Sequence, residues 1–570
     1  MMVDVNEIER RARAVPAEER PVPKGALAGI GSFLGIYGGE HIAATEFVIG
    51  ALLVTWGVKA SELLVGLLVG NLIAASSYAL ITAPIAVDTR LTLFAYLRQV
   101  MGPWFQRIYN LTWGVISIVW ASSMLAISAT SLKEVAGLPV QLNWYPTSGA
   151  CVAITLALTL VTVFVAAFGF KGVVKFSSLC VPWMVTVFLC GAVVAVPLVQ
   201  QQTGFGPIDG PGGFLRLLNA HIFNGEVPEG GVHLTWVHVA MFAWMCGFVY
   251  HLGLNDMSIF RFAKKRAYGW VGLFGMYLGH FFAWVCAGVM GGAAALVLKK
   301  GLTELDPGAV TAVILGGTGL CAVIVAGWTT ATPNIYRAAL SFATFFPKWS
   351  LRRLSFFVGS IIAVCACFPA VMRIDWVANI AALIVPPVGA ICLVEHWIFP
   401  KIGLVRHWNL YRGRAVNPAG LLAWGLSSAF ALCGALGHWM HPFFLPLPTF
   451  LLAGISYPVF AFLLGARGTV PEETRSAVDA VKVRVAELAE AELSSMASRV
   501  DAKPGANLCS RLAFGLSLTA LAVLVLTAMG VGLGHITLQS FKLTAFPCTI
   551  LYFIFVCLSD FLKRRGMPRN

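Results

Sequence analysis

Residues 31 to 41 read Gly31-Ser32-Phe33-Leu34-Gly35-Ile36-Tyr37-Gly38-Gly39-Glu40-His41, in the middle of an apolar run over 25–56. As one straight helix that run would measure about 48 Å against a hydrocarbon core of about 30 Å. It must tilt, protrude or break. Four of the quoted residues are glycine, which is poor helix material. A carboxylate and an imidazole at that depth are costly unless they face protein or a water-filled space. Any single glycine here also reads as a small residue for close helix packing. That reading leaves Glu40 and His41 unexplained, so the pattern predicts a helix interrupted at a functional site.

A second run, 233–262, repeats the pattern with Gly247, Phe248, Tyr250, His251, Gly253, Asn255 and Asp256. Asn255 is of the type that caps the start of a second half-helix. Interrupted helices at positions one and six, in two successive sets of five, point to an inverted-repeat transporter with its site near the midplane. Half-helix N-termini offer N–H groups to polar ligand atoms, and half-helix C-termini offer carbonyls to a cation. Glu40, His41, Tyr250, His251 and Asn255 are therefore candidates for substrate contact.

The rest of the chain fits a membrane setting. Its 570 residues are 58% hydrophobic and 12% charged, whereas a soluble domain is about 25% charged. About fourteen stretches are long and apolar enough to span: 25–56, 63–85, 108–132, 149–168, 173–198, 233–262, 268–298, 309–346, 354–371, 374–399, 418–439, 443–464, 513–536 and 543–562. The net charge of +14 sits in short clusters between these runs, so it orients a membrane protein and implies no nucleic-acid partner. With the N-terminus inside, about 32 of the 40 Lys and Arg fall in the cytoplasm. The expectation is a multi-pass protein of the plasma (inner) membrane with both termini cytoplasmic and the lipid bilayer as its medium. The first twenty-four residues lack the apolar core of a signal peptide, so the chain is expected to start in the cytoplasm. The thirteen cysteines show no CxxC spacing, which indicates neither zinc nor disulfides. There is no HExxH, GxSxG or P-loop pattern, so no enzyme and no cofactor is expected.

The organisation expected is a tail (1–24), two five-helix repeats (25–200 and 201–400), spans eleven and twelve (401–466), a polar insert (467–511), spans thirteen and fourteen (512–562) and a second tail (563–570). In the insert, Val478, Val481, Val485 and Leu488 recur at helical spacing amid charged residues. It could dock or bind a regulator, but a solvated connector is the simpler reading.

Span eight carries Trp328-Thr329-Thr330-Ala331-Thr332-Pro333-Asn334-Ile335-Tyr336. Pro333 frees a carbonyl, and the adjacent threonine hydroxyls are hard oxygen ligands suited to a small cation. Here the chain resembles the nucleobase cation symporters, the family of purine/cytosine permeases and hydantoin transporters. The likeness rests on this stretch, on 247–264 with its Ser258, Arg261, Phe262 end, and on 66–102 with Gly70, Asn71, Thr89, Arg90 and Met101-Gly102-Pro103. It covers the first ten to twelve spans.

The resemblance implies an all-α LeuT-type fold: inverted five-helix repeats, discontinuous helices one and six, and about four additional C-terminal spans. It implies cation-coupled symport of a small flat heterocycle, a purine, pyrimidine, hydantoin or vitamin precursor. By position, Thr329 and Thr330 would join carbonyls near Gly35 at a sodium site. Trp120 and Phe248 would sandwich the ring, and Asn334 would bond its edge. Ser258 stands where the family has aspartate, and Glu40, His41 and Glu46 make the first span unusually ionisable. The coupling ion is therefore Na+ or H+. The alternatives are a proton-coupled transporter of another small polar solute, or a transporter-like membrane receptor signalling through 467–511.

Overall fold

The computed structural model describes residues 5–138, 148–227, 233–368, 374–497 and 507–565, with the side chains of 247–251, 303, 374–376, 378, 495–497 and 564–565 left aside. Among the described residues ten helices are long and apolar enough to cross a membrane. They are spans two (Ala60–Thr89), three (Pro103–Val135), four (Gly149–Ala166), five (Gly169–Thr203), seven (Arg266–Leu298), ten (Asn379–Lys401), eleven (Pro418–Leu436), twelve (Pro442–Leu463), thirteen (Leu508–Gly532) and fourteen (Leu538–Lys563).

The other four expected spans differ for physical reasons. Span one is two helices, Ile30–His41 and Thr45–Val54, and span six is Trp236–His251 followed by Met257–Phe260. Span nine, Leu351–Ala366, is short at 16 residues. The run expected over 309–346 is split. Gly316 takes φ +61, a left-handed conformation, and separates a short helix, Pro307–Leu315, from span eight proper, Gly317–Ala343.

The helix contacts have the symmetry of an inverted repeat. Spans three and eight pack on each other, as do four and nine. The packing of span one on seven is mirrored by six on two, and that of one on five by six on ten. Exchanging each helix for the one five places on maps this set of contacts onto itself. The start of span one also touches the end of span six, where the Ala28 N–H donates to the Phe262 carbonyl at 2.7 Å. Spans eleven and twelve pair on span ten, and thirteen and fourteen pair on span five. There the Trp183 indole donates to Thr549 at 3.2 Å and the Tyr552 hydroxyl to the Leu179 carbonyl at 2.8 Å. Leu160, Ile455 and Leu526 are exposed on the outside of the bundle, as lipid-facing side chains must be.

The polar insert is not the solvated connector that its charges suggested. It forms a helix, Glu472–Ala497, lying against the N-terminal helix Val5–Arg13. Arg484 pairs with Glu9 at 2.5 Å and Arg20 with Glu492 at 2.5 Å, and the Lys24 N–H donates to Glu490 at 2.8 Å. The valine stripe faces inward, with Val485 and Ala489 buried. The insert helix packs on the tail at Val5–Arg13 and Lys24–Ala26 and on the turn Trp408–Tyr411, while Val478, Val481 and Val485 also line a cavity beneath it. Hydrogen bonds from Arg484 and Arg13 hold the Glu9 carboxyl down to about 2.

Candidate functional site

Pro333 lies inside span eight and has no N–H to give the Thr329 carbonyl four residues back. The Thr332 hydroxyl donates to that carbonyl at 3.4 Å, and the helix continues. Thr330, Asn334 and Arg337 consequently stand at i, i+4 and i+7, on one face. Asn334 Nδ2 donates to the Thr330 carbonyl at 2.9 Å, and the Thr330 hydroxyl donates to the Glu40 carbonyl at 3.0 Å. Two turns beyond Thr330, the Arg337 guanidinium holds both Glu40 carboxylate oxygens, with Nη2 at 3.1 Å from Oε2. The same Nη2 donates to Asp256 Oδ1 at 2.9 Å.

Three elements thus meet at one cation: the end of the first half of span one, the break in span six and the middle of span eight. The side chain of Arg337 is 0% exposed, that of Asp256 1% and that of Glu40 13%. Two carboxylates face one guanidinium, so with all three ionised the group carries one surplus negative charge where screening is weak. Of the three, Glu40 keeps the surface through which an ion or solute could meet that charge.

The glycine run itself does not break. A Cβ at Gly35 would lie 2.0 Å from Ser178 Oγ, and one at Gly39 would lie 2.7 Å from Ser177 Cβ. These glycines let span one approach span five, and their backbone stays helical because the helix supplies its own hydrogen bonds away from water. The interruption falls just after them, at 42–44, where span seven intrudes. Gly279, in a π-helical turn over Tyr277–Ala283, faces the His41 carbonyl so closely that a Cβ would sit 1.8 Å from it.

In span six the chain unwinds over 252–256, with Leu254 at φ +60. The unwound backbone rests on span ten at Gly389, where a Cβ would lie 1.4 Å from the Leu252 carbonyl oxygen. Asp256, not Asn255, occupies the N-cap position of the second half-helix, and its side chain makes no capping hydrogen bond there. Asn255 instead accepts at its carbonyl from the Ser258 hydroxyl at 2.7 Å. Its side-chain amide is fully buried, with neither polar atom hydrogen-bonded. Such a group normally finds a partner, and here it lies one residue from the ion group.

A second polar seam runs beside the first. Glu46 is buried, accepts from the Trp284 indole and has Oε1 3.9 Å from His280 Nε2. The His280 ring stacks on Trp284 at 4.5 Å and lies 5.2 Å from the His41 ring. His41 in turn bonds the Tyr37 carbonyl at 2.8 Å and the Tyr78 hydroxyl at 3.1 Å. Spans one, two and seven therefore share a line of four ionisable side chains.

Of the residues singled out in the sequence, Glu40, Thr330 and Asn334 come together. Thr329 turns towards span five, its hydroxyl 3.8 Å from Met184 Sδ and 3.1 Å from the Ala326 carbonyl. Gly35 packs on Ser178 more than a turn before the helix ends, and His41 faces Tyr78. Trp120 is half-buried on span three, which runs along span eight. The side chains of Phe248, Tyr250 and His251 lie outside the described residues. Sequence reasoning missed Arg337 and passed over Asp256 as a site residue. The available signal was an arginine inside an apolar run, three residues past Asn334, since an intramembrane charge marks a function by default. Among the described residues no three His, Cys, Asp or Glu side chains gather as a metal site. Oxygen donors suited to a small hard cation are the threonine hydroxyls and the peptide carbonyls at the break.

A helical bundle with two interrupted helices, each packed as the mirror of the other and tied through one buried arginine, defines a multi-pass membrane protein of the LeuT-type inverted-repeat class. Comparison with solved structures gives that class particular members. The chain is similar to Mhp1, a nucleobase-cation-symport-1 family transporter, in a closed conformation with bromovinylhydantoin bound: TM-score 0.62, 15% identity, 83% of this chain and 99% of that one. The inward-facing conformation of Mhp1 matches with a TM-score of 0.58 at 14% identity over 80% and 97% of the two chains. A Na+-coupled sialic acid symporter, substrate-bound and outward-open, matches at 0.55 and 12% identity over 81% and 96%. No protein-family model and no curated relative matches the sequence.

Proposed function

We propose that the chain is a secondary active transporter that moves a small heterocyclic solute together with a cation by alternating access. The observation that carries this reading is the Glu40–Arg337–Asp256 group, which ties both interrupted helices to span eight. Movement of either helix must rearrange that group, and a ligand binding beside it biases the arrangement. The solved structures of the same fold are described as symporters of a nucleobase-type family and of sialic acid, which supports coupled transport. A nucleobase or related flat ring is the substrate class we infer. Asn334 and the unpartnered amide of Asn255 supply the paired donor and acceptor that a ring edge needs, and Trp120 with Phe248 supplies stacking. The 25–200 and 201–400 segments act as the two repeats. The basic, tail-bearing face is the cytoplasmic one by the excess of Lys and Arg on it.

Sodium is the leading coupling ion, through Thr329, Thr330 and the carbonyls where span one opens, with Gly35 on the same helix. Proton coupling through the surplus charge at Glu40, or through Glu46 and His280, is the variant favoured by the buried seam. Uptake by proteoliposomes under separately imposed sodium and proton gradients decides between them. A sodium requirement that disappears in Thr329→Ala supports the threonine site, whereas full uptake without sodium rejects it. A heterocycle-dependent thermal shift that is absent in Asn255→Ala supports the substrate class. If no purine, pyrimidine or hydantoin shifts the wild type, that class is wrong.

A further inference from the structure

The tail and the insert line a half-open space that the transport reading leaves unused. Between 11–21 of the tail, the chain just after span two, the loop after span ten and the insert helix lies a cavity of about 1040 Å3. Its roof is the valine stripe, Val478, Val481 and Val485. Six basic side chains line it, Arg11, Arg90, Arg98, Arg406, Arg475 and Lys482, against the two acids Glu19 and Asp88. Both acids are already engaged. Asp88 is held by both forks of Arg266 at 2.7 and 2.9 Å, and Glu19 takes bonds from Thr344 at 2.9 Å, Gln106 at 3.2 Å and Arg98 at 3.3 Å. Four of the six bases are engaged as well, Arg98 with Glu19, Arg11 with Glu7 at 2.6 Å, Arg90 with Glu490 at 3.5 Å and Lys482 with Asp479 at 3.1 Å. That leaves Arg406 and Arg475 as the guanidinium groups of the wall with no carboxylate partner among the described residues.

Two buried nitrogen atoms just behind its wall make no hydrogen bond. The buried Nε of Arg406 makes no hydrogen bond, although its Nη2 lies 2.7 Å from His396 Nδ1. His407 is 8% exposed, and its buried Nε2 is also unbonded. Its ring is held in place by a backbone at φ +59, whose N–H donates to Glu395 at 2.6 Å. Burial, then the charges of Lys482, Arg406 and His396, push the His407 imidazole well below its ordinary range. The ring is therefore neutral at pH 7 and offers hydrogen bonding without charge.

We propose that this cavity binds a phosphate-bearing anion with an apolar portion, which rests under the valine stripe while Arg406, Arg475, Lys482 and His407 take the phosphate. Guanidinium forks match phosphate oxygens in pairs, and an apolar wall with a few convergent polar groups is the usual make-up of a ligand pocket. Its occupant joins the insert helix to the bundle, because Arg475 and Lys482 belong to the insert and Arg406 and His407 to the loop after span ten. The site is separate from the ion group on spans one, six and eight, and stands whether or not the chain is a symporter.

The test is direct binding to the purified full chain, with two probes. Inorganic pyrophosphate represents a soluble phosphate compound, and dioctanoyl phosphatidylglycerol represents a lipid headgroup, with dioctanoyl phosphatidylcholine as the zwitterionic control. Saturable binding of either anionic probe, weakened about tenfold or more in Arg475→Glu/Lys482→Glu and abolished by cavity-filling Val481→Trp, is the expected result and names the source. Slower hydrogen exchange of 472–494 on binding is expected in the wild type alone. No saturable binding of either probe overturns the site. Equal affinity in wild type and both variants also overturns it, as does equal binding of the zwitterionic control. Lys482 also pairs with Asp479 at 3.1 Å, whereas Arg475 is exposed. The single variant Arg475→Glu is therefore measured beside the double one to probe the ligand rather than the fold, and it too is expected to weaken binding.

Discussion

Removing the Arg337 side chain leaves Glu40 and Asp256 as two buried carboxylates facing each other across an empty space. Three charge-assisted contacts disappear, two to Glu40 and one to Asp256. Breaking a buried pair by deleting one partner costs about 3–5 kcal/mol, because the remaining charge keeps its desolvation penalty. Each 1.4 kcal/mol is tenfold in an equilibrium constant, so Arg337→Ala should lower the folded-to-unfolded ratio about a hundredfold to several thousandfold, or force a carboxyl to take up a proton. Arg337→Lys keeps the charge but cannot hold two carboxylates at once, and an intermediate loss is expected. The neutral triple variant Glu40→Gln/Asp256→Asn/Arg337→Met should recover most of the stability and none of the transport. The assay is monodispersity and thermal unfolding in detergent, beside uptake in proteoliposomes. If Arg337→Ala unfolds at the wild-type temperature and transports at the wild-type rate, the ion group neither holds the two breaks together nor serves transport.

Four further outcomes follow from particular contacts. Gly389→Ala and Gly279→Ala each push a methyl onto backbone at a helix break, the Leu252 and His41 carbonyls respectively, and should cost about 1–3 kcal/mol and most of the uptake. Gly31→Ala meets nothing within 4 Å and should be neutral or slightly stabilising by circular-dichroism melting. Tyr78→Phe removes the partner of His41 Nε2 and should destabilise by about 1 kcal/mol, read from the same melts. The Glu9 carboxyl is lowered from 4.5 to about 2 by Arg484 and Arg13, so its contribution is complete above pH 4.5 and is lost as pH falls towards 2. Spin labels on Val5–Arg13 and on Glu472–Ala497 should therefore separate in that acid window, and in high salt at neutral pH. Constant label distances across both would refute the ion-pair latch.

Membrane residence, the presence of most apolar spans and the interruption of helices one and six are legible in the sequence. Each follows from local chemistry: the length of apolar runs, the cost of charge at depth and the clustering of glycine with polar residues. What the glycines do is not local. Gly35 and Gly39 serve the approach of span five, while the chain opens at 42–44 against Gly279 of a distant span. Arg337 is one arginine in an apolar run until the fold brings Glu40 from 297 positions away and Asp256 from 81. The insert shows the same division, since its valine stripe is plain in sequence but its partner is the far end of the chain. Periodicity and hydropathy are sums over neighbours along the chain, so they determine which segments must leave water. Pairing of buried charges and seating of backbone on glycine depend on distances between segments, and those exist only once the helices have packed.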